Sequence, residues 1–129
     1  MTGGAGFIGF NLAATLIKLG NEVVVLDNFN SYYDVRLKEA RAHKLLAHGA
    51  RVVNGDICDF KLLQKLFEEH GFTHVAHLAA QAGVRYSVNH PHDYIRSNGE
   101  LTSCLFLCAD SPVVESNCQQ RAPPPLVAI

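Results

Sequence analysis

Apolar side chains at Ile8, Leu12 and Leu16, with Ile17 beside them, recur at helical spacing and predict a helix from about Phe7 to Leu19. Lys18 in the last turn and Gly20 just beyond suit its C-terminal end. The period then changes. Glu22-Val23-Val24-Val25-Leu26-Asp27 is a short β-branched apolar run, the pattern of a parallel strand covered on both faces. A loop over Asn28–Asp34 leads to a helix that Asp34 caps and Gly49 stops after His48. Its Leu37, Leu45 and Leu46 oppose Lys38, Arg41 and Lys44 only weakly, so the helix is expected to lie on the surface. Arg51–Ile57 reads as the next strand running into a turn. Asp59 caps a helix whose Leu62, Leu63, Leu66 and Phe67 form one face, ended by Gly71, and Thr73–Ala80 is a further strand. Strands alternating with helices predict an α/β fold with a doubly wound parallel sheet.

The stretch Thr2-Gly3-Gly4-Ala5-Gly6-Phe7-Ile8-Gly9 stands ahead of the first helix, with glycine at every third position. A glycine turn that opens a helix aims backbone N–H groups and the positive helix end at one spot, which suits a phosphate. A flexible glycine-rich loop has the same composition, so the motif needs context. Asp27 provides it: a carboxylate 18 residues after Gly9, at a strand end, is where the dinucleotide fold hydrogen-bonds the adenosine ribose. No arginine adjoins Asp27 in sequence to receive a 2′-phosphate, so NAD is the expected cofactor. The same fold needs a buried strand feeding the glycine turn. Only Met1 precedes the turn here, and the first strand is expected to be missing, which would leave its two neighbours with open edges.

Composition narrows the function classes. A net charge of −1 over 129 residues offers no basic stripe for nucleic acid. The apolar run around Leu105–Ala109 is far shorter than the roughly 20 residues of a membrane helix. No basic-then-apolar segment opens the chain, and the expected location is the cytoplasm. The four cysteines, Cys58, Cys104, Cys108 and Cys118, have no histidine at zinc-ligand spacing and are expected as free thiols, with no metal site. His74 and His77 lie on a predicted strand and are expected to pack or cap.

Taken together, TGGAGFIG at Thr2–Gly9, Leu26-Asp27-Asn28-Phe29, Gly55-Asp56-Ile57 and His77-Leu78-Ala79-Ala80 resemble the extended short-chain dehydrogenase/reductase family. DNFNSYYD at Asp27–Asp34 and AQAGVRYS at Ala80–Ser87 are most similar to UDP-glucuronate 4-epimerases, with UDP-glucose 4-epimerases and nucleotide-sugar 4,6-dehydratases as close alternatives. The resemblance implies an NAD-dependent isomerase acting on a UDP-sugar, often as a homodimer. It implies that Gly3, Gly6 and Gly9 line the pyrophosphate, with Phe7 and Ile8 donating backbone N–H groups. Asp27 and Asn28 would hold the adenosine ribose, and Asp56 and Ile57 would flank the adenine. Ala79, Ala80 and Gln81 would run under the nicotinamide half, with Arg85, Tyr86 and Ser87 on the sugar-nucleotide side. An arginine fork suits phosphate or carboxylate, although a loop arginine serves equally as a surface residue.

The resemblance runs through residue 98. Residues 1–98 are therefore expected to form a truncated Rossmann-like NAD-binding domain with its C-terminal half absent. Residues 99–129, which include Pro123-Pro124-Pro125, are expected to be a non-family, disordered tail. The family's Ser or Thr and Tyr-x-x-x-Lys residues have no counterpart in the chain, so no catalytic residue is assigned. The expected function is the cofactor-binding part of an epimerase, inactive by itself, or a non-catalytic NAD-binding or partner-binding fragment.

Overall fold

The computed structural model describes residues 1–81, 83–95, 98–99 and 126–128. Its elements run α1 (Phe7–Lys18), β1 (Val24–Asp27), α2 (Val35–Ala47), β2 (Arg51–Asn54), α3 (Phe60–His70), β3 (Val75–His77), α4 (Val84–Asn89), α5 (Pro91–Ile95) and β4 (Leu126–Ala128). The alternation read from the sequence is thus present as an α/β fold with a short parallel sheet. The chain divides into two compact units, the first comprising Met1–Asp56 with His77–Ala79, the second Ile57–Ala76 with described residues from Ala80 onward.

In the first unit, β1 and β2 pair in parallel with Val25 opposite Val52 and Asp27 opposite Asn54. Met1 and Thr2 precede the glycine turn. The two edges expected to lie open are nevertheless joined. Thr2 makes isolated parallel bridges to Leu26 on one side and His77 on the other. Leu26 N–H donates to Met1 C=O (2.8 Å), Gly3 N–H to Leu26 C=O (2.8 Å) and Leu78 N–H to Thr2 C=O (3.1 Å). Met1, Thr2 and Gly3 therefore pair with backbone groups of β1 on one side and of His77–Leu78 on the other, which would otherwise lack partners.

α1 lies close against this sheet because its inward positions are small: Gly9 and Ala13 are buried. Ala13, Val23, Val25, Leu45 and Ala50 form the core cluster, with Phe10, Leu16, Ile17 and Val52 packed around it. Asp34 caps α2 by accepting from the Arg36 N–H, as expected. The face of α2 differs from the one expected. Leu37 and Leu46 are exposed, while Lys38, Ala42 and Leu45 point inward at helical spacing. Leucine pairs on a weakly amphipathic helix carry little directional signal, and here a charged partner inside the unit decided the rotation.

The second unit is organised by α3, which Asp59 caps by accepting from the Leu62 N–H and Gly71 closes in the left-handed conformation (φ 53°). Leu63, Leu66 and Phe67 are buried with Ile57 and Val75, and Phe67 meets Phe72 edge to face at 5.3 Å. Val84–Asn89 and Pro91–Ile95 form the two short helices α4 and α5. Leu126–Ala128, within the stretch expected to be disordered, forms β4 beside β3. Leu105–Ala109 and the triple proline lie outside the described residues, as do Cys104, Cys108 and Cys118. No helix among the described residues is long and apolar enough to cross a membrane.

The join at Thr2 carries a pH dependence. Thr2 Oγ1 lies 2.6 Å from His77 Nδ1 and accepts from the Ala79 N–H at 3.3 Å. Burial holds the His77 imidazole below its usual pKa. Unfolded, the ring takes up its proton near pH 6.5; folded, it does so only at lower pH. Between those two values the unfolded chain binds more protons, so this contribution is intact above about pH 6.5 and is lost as pH falls below it. Urea midpoints measured from pH 8 to 5 are expected to fall less steeply for His77→Gln than for the unmutated chain; parallel slopes would contradict the assignment.

Candidate functional site

The glycine turn is built by steric demands that no larger residue meets. Gly3 has φ +68°, and a Cβ there would sit 2.6 Å from the Leu78 carbonyl oxygen. A Cβ on Gly9 would strike the Gly3 carbonyl oxygen and lie 2.7 Å from Gly4 Cα, so Gly9 is what lets α1 fold back onto the turn. Gly6 differs. It is the N-cap of α1 without a side-chain cap, and a Cβ on it would meet only the Gly3 carbonyl oxygen, at 3.0 Å. The N–H groups of Phe7 and Ile8 belong to the first turn, where a helix cannot satisfy them internally. No acidic side chain stands in that turn, and Phe7 and Ile8 are 72% and 62% exposed. A helix start with no side-chain cap forms a cradle whose free first-turn N–H groups suit an anion.

Asp27 closes the cradle from the end of β1. Its side chain is buried, and its two oxygens serve three donors. Oδ2 accepts from the Ala5 N–H (3.0 Å); Oδ1 accepts from the Phe29 N–H (3.0 Å) and from Lys38 Nζ (3.1 Å). The loop beyond is held by further short links. Asn28 Oδ1 accepts from the Asn30 N–H, Asn28 Nδ2 donates to Asp56 Oδ2 (3.2 Å), and Lys38 Nζ donates to Asn30 Oδ1 (3.0 Å). Among the described residues Phe29 is the non-glycine residue with positive φ (50°). Such a backbone costs on the order of 1–2 kcal/mol and persists when its surroundings hold it; the bond to Asp27 does so here.

Gly3, Gly6, Phe7, Ile8, Gly9, Asp27, Asn28, Asp56 and Ala79 thus all fall in the first unit, and Gly3 packs directly against the Leu78–Ala79 backbone. Ile57, Ala80, Gln81, Arg85, Tyr86 and Ser87 belong to the second. There Ile57 is buried and Ala80 exposed. Gln81 is pinned at both backbone groups: its N–H donates to Asn98 Oδ1 (2.8 Å), and its carbonyl accepts from Asn98 Nδ2 (3.2 Å). Arg85 and Ser87 stand on α4, with Arg85 exposed and on a helix rather than the loop expected for it. The side chain of Tyr86 lies outside the described residues. Asn98 and Lys38 were not expected at the site. Only a buried lysine's need for an acceptor could have pointed to Lys38, and the sequence does not reveal that burial.

A family model described as GDP-mannose 4,6 dehydratase matches residues 1–119. UDP-glucuronate 4-epimerase 1 of Arabidopsis thaliana is 51% identical over 109 residues, 84% of this chain and 25% of that protein. UDP-glucuronate 4-epimerase 3 of the same plant is 55% identical over 98 residues, 76% of this chain and 23% of its own. Among solved structures, a UDP-glucuronic acid 4-epimerase mutant from Bacillus cereus, in complex with UDP-4-deoxy-4-fluoro-glucuronic acid and NAD, superposes with TM-score 0.77. It is 31% identical, over 85% of this chain and 35% of that one. The UDP-glucose 4-epimerase of Brucella ovis in complex with NAD gives TM-score 0.71 at 29% identity, over 98% of this chain and 33% of that one. The chain therefore spans about a quarter of the length of these curated relatives.

Because Gly9 has an ordinary backbone conformation, its replacement isolates the steric demand of the turn. Gly9→Ala is expected to destabilise the chain by about 1–3 kcal/mol, the usual cost of overpacking. Chemical denaturation checks this; an unchanged midpoint would mean that α1 can shift away from Gly3 without cost.

Proposed function

Since the chain belongs to the GDP-mannose 4,6-dehydratase family of NAD-dependent epimerases and dehydratases, we propose that it is the cofactor-binding part of a nucleotide-sugar 4-epimerase. The proposed reaction interconverts UDP-glucuronate and UDP-galacturonate. One observation carries the cofactor half of this reading: the Asp27 carboxylate is bonded to the Ala5 N–H inside the glycine turn, beside the open start of α1. Adenosine ribose and pyrophosphate sites of a dinucleotide have to adjoin in this way. The preference for UDP-glucuronate over UDP-glucose is supported by the 51% and 55% identities to plant enzymes of that name.

In this reading Gly3, Gly6 and Gly9, with the N–H groups of Phe7 and Ile8, hold the pyrophosphate. Asp27 and Asn28 hold the adenosine ribose. Asp56 and Ile57 flank the adenine, Ile57 through its backbone because its side chain is buried. Ala79, Ala80 and Gln81 carry the nicotinamide half, and Asn98 fixes the backbone of Gln81. Arg85, Tyr86 and Ser87 face the UDP-sugar. NAD, when bound, supplies the hydride acceptor for the sugar C4–H and returns the hydride to the opposite face. Homodimeric assembly is proposed from the family resemblance, and a cytoplasmic location is proposed beside it.

The proton of the sugar 4-hydroxyl is a separate matter. The family takes it with a tyrosine whose phenol is acidified by a lysine four residues on. Four residues after Tyr32, Tyr33, Tyr86 and Tyr94 stand Arg36, Leu37, His90 and Asn98. None is a lysine. Loss of general acid–base assistance costs a factor of about 10²–10⁴ in rate. The 129-residue chain is therefore expected to bind NAD without epimerising UDP-glucuronate.

Calorimetric titration with NAD tests the reading. Binding is expected, and Asp27→Asn should weaken it by about 1.5–3 kcal/mol, the worth of a hydrogen bond to a charged group. A chain that binds no NAD would overturn the proposal. Incubation with NAD and UDP-glucuronate should yield no UDP-galacturonate; turnover abolished by Tyr86→Phe or Tyr94→Phe would show that one of these phenols is the base.

A further inference from the structure

The Asp27 carboxylate is not a lone negative charge. The Lys38 ammonium lies 3.1 Å from its Oδ1, with the two side chains only 7% and 3% exposed. The lysine is held from two further sides, by Asn30 Oδ1 at 3.0 Å and by the Tyr33 ring 5.4 Å from Nζ. One turn on, Arg41 Nη1 donates to the Ala5 carbonyl (3.3 Å), and its guanidinium stands 6.0 Å from the Phe7 ring. Two cations of α2 thus face the glycine turn, where the sequence pattern placed them on a solvent face. A buried, doubly anchored ammonium cannot swing away, so its charge is a permanent part of the site.

We propose that Lys38 is the positioning residue that sets how strongly this site discriminates between NAD and its 2′-phosphorylated form. A bare carboxylate at the end of β1 would repel a 2′-phosphate, which brings about −1.5 to −2 charges. Lys38 offsets that repulsion at its source and keeps the discrimination modest. The inference rests on the dinucleotide-binding reading above. It makes a statement that reading does not: removing the lysine sharpens the preference for NAD.

The test is the ratio of NADP to NAD dissociation constants, titrated on the full chain and on Lys38→Met. The ratio is expected to rise on the order of tenfold, the Coulomb scale of one lost charge a few ångströms away. A merely structural lysine would weaken both dinucleotides in parallel, and an unchanged ratio would overturn the proposal. Should Lys38→Met fail to fold because Asp27 is left unpaired, Asp27→Asn is compared with Asp27→Asn/Lys38→Met, which removes both charges together. The double variant is then expected to bind NADP about tenfold more weakly than the single one; equal NADP affinities overturn the proposal. An unmutated chain that binds neither dinucleotide removes the dinucleotide reading and this inference with it.

Discussion

A buried carboxylate must be paired, and Asp27 meets that requirement by drawing the glycine turn and α2 to the end of β1 and fixing the loop beside it. Its oxygens accept from Ala5 in the glycine turn, Phe29 in the following loop and Lys38 on α2. An unpaired buried charge would cost several kcal/mol, so each donor is held as firmly as the charge needs it. The carboxylate thereby ties the glycine turn, the left-handed Phe29 and the inward face of α2 to one point. Without it, α2 would have no reason to bury a lysine while leaving Leu37 and Leu46 in solvent.

Close backbone approach is the second constraint. Gly9 lets α1 lie against the Gly3–Gly4 backbone, and Gly4 stands against Val25, where a Cβ would be 2.5 Å from its Cγ1. These contacts use the glycines for packing inside the protein. Gly6 is less confined than these, since a Cβ there would meet the Gly3 carbonyl oxygen at 3.0 Å.

The sheet shows how little backbone is needed to complete a parallel order. Met1–Gly3 supply the bonds that a strand would make to β1 and to His77–Leu78, and the Thr2 hydroxyl with the His77 ring adds a side-chain link across the same join. The strand order expected of a doubly wound sheet is met locally, through single bridges on either side of Thr2.

Periodicity and end signals were enough to place α1, β1, α2, β2, α3 and β3. Apolar spacing, a capping aspartate and a terminal glycine are local properties that act before any tertiary contact forms. The turn at Thr2–Gly9 and the strand-end place of Asp27 were legible for the same reason, because glycine spacing and a β-branched run are local signals. Tertiary structure decided what depends on partners far away in the chain. It buried Lys38 against Asp27 and pinned Gln81 to Asn98. It also joined Met1–Gly3 to β1 and to His77–Leu78. Each of these is settled by which unsatisfied group finds which acceptor or donor across the fold, and a linear pattern carries no measure of that distance.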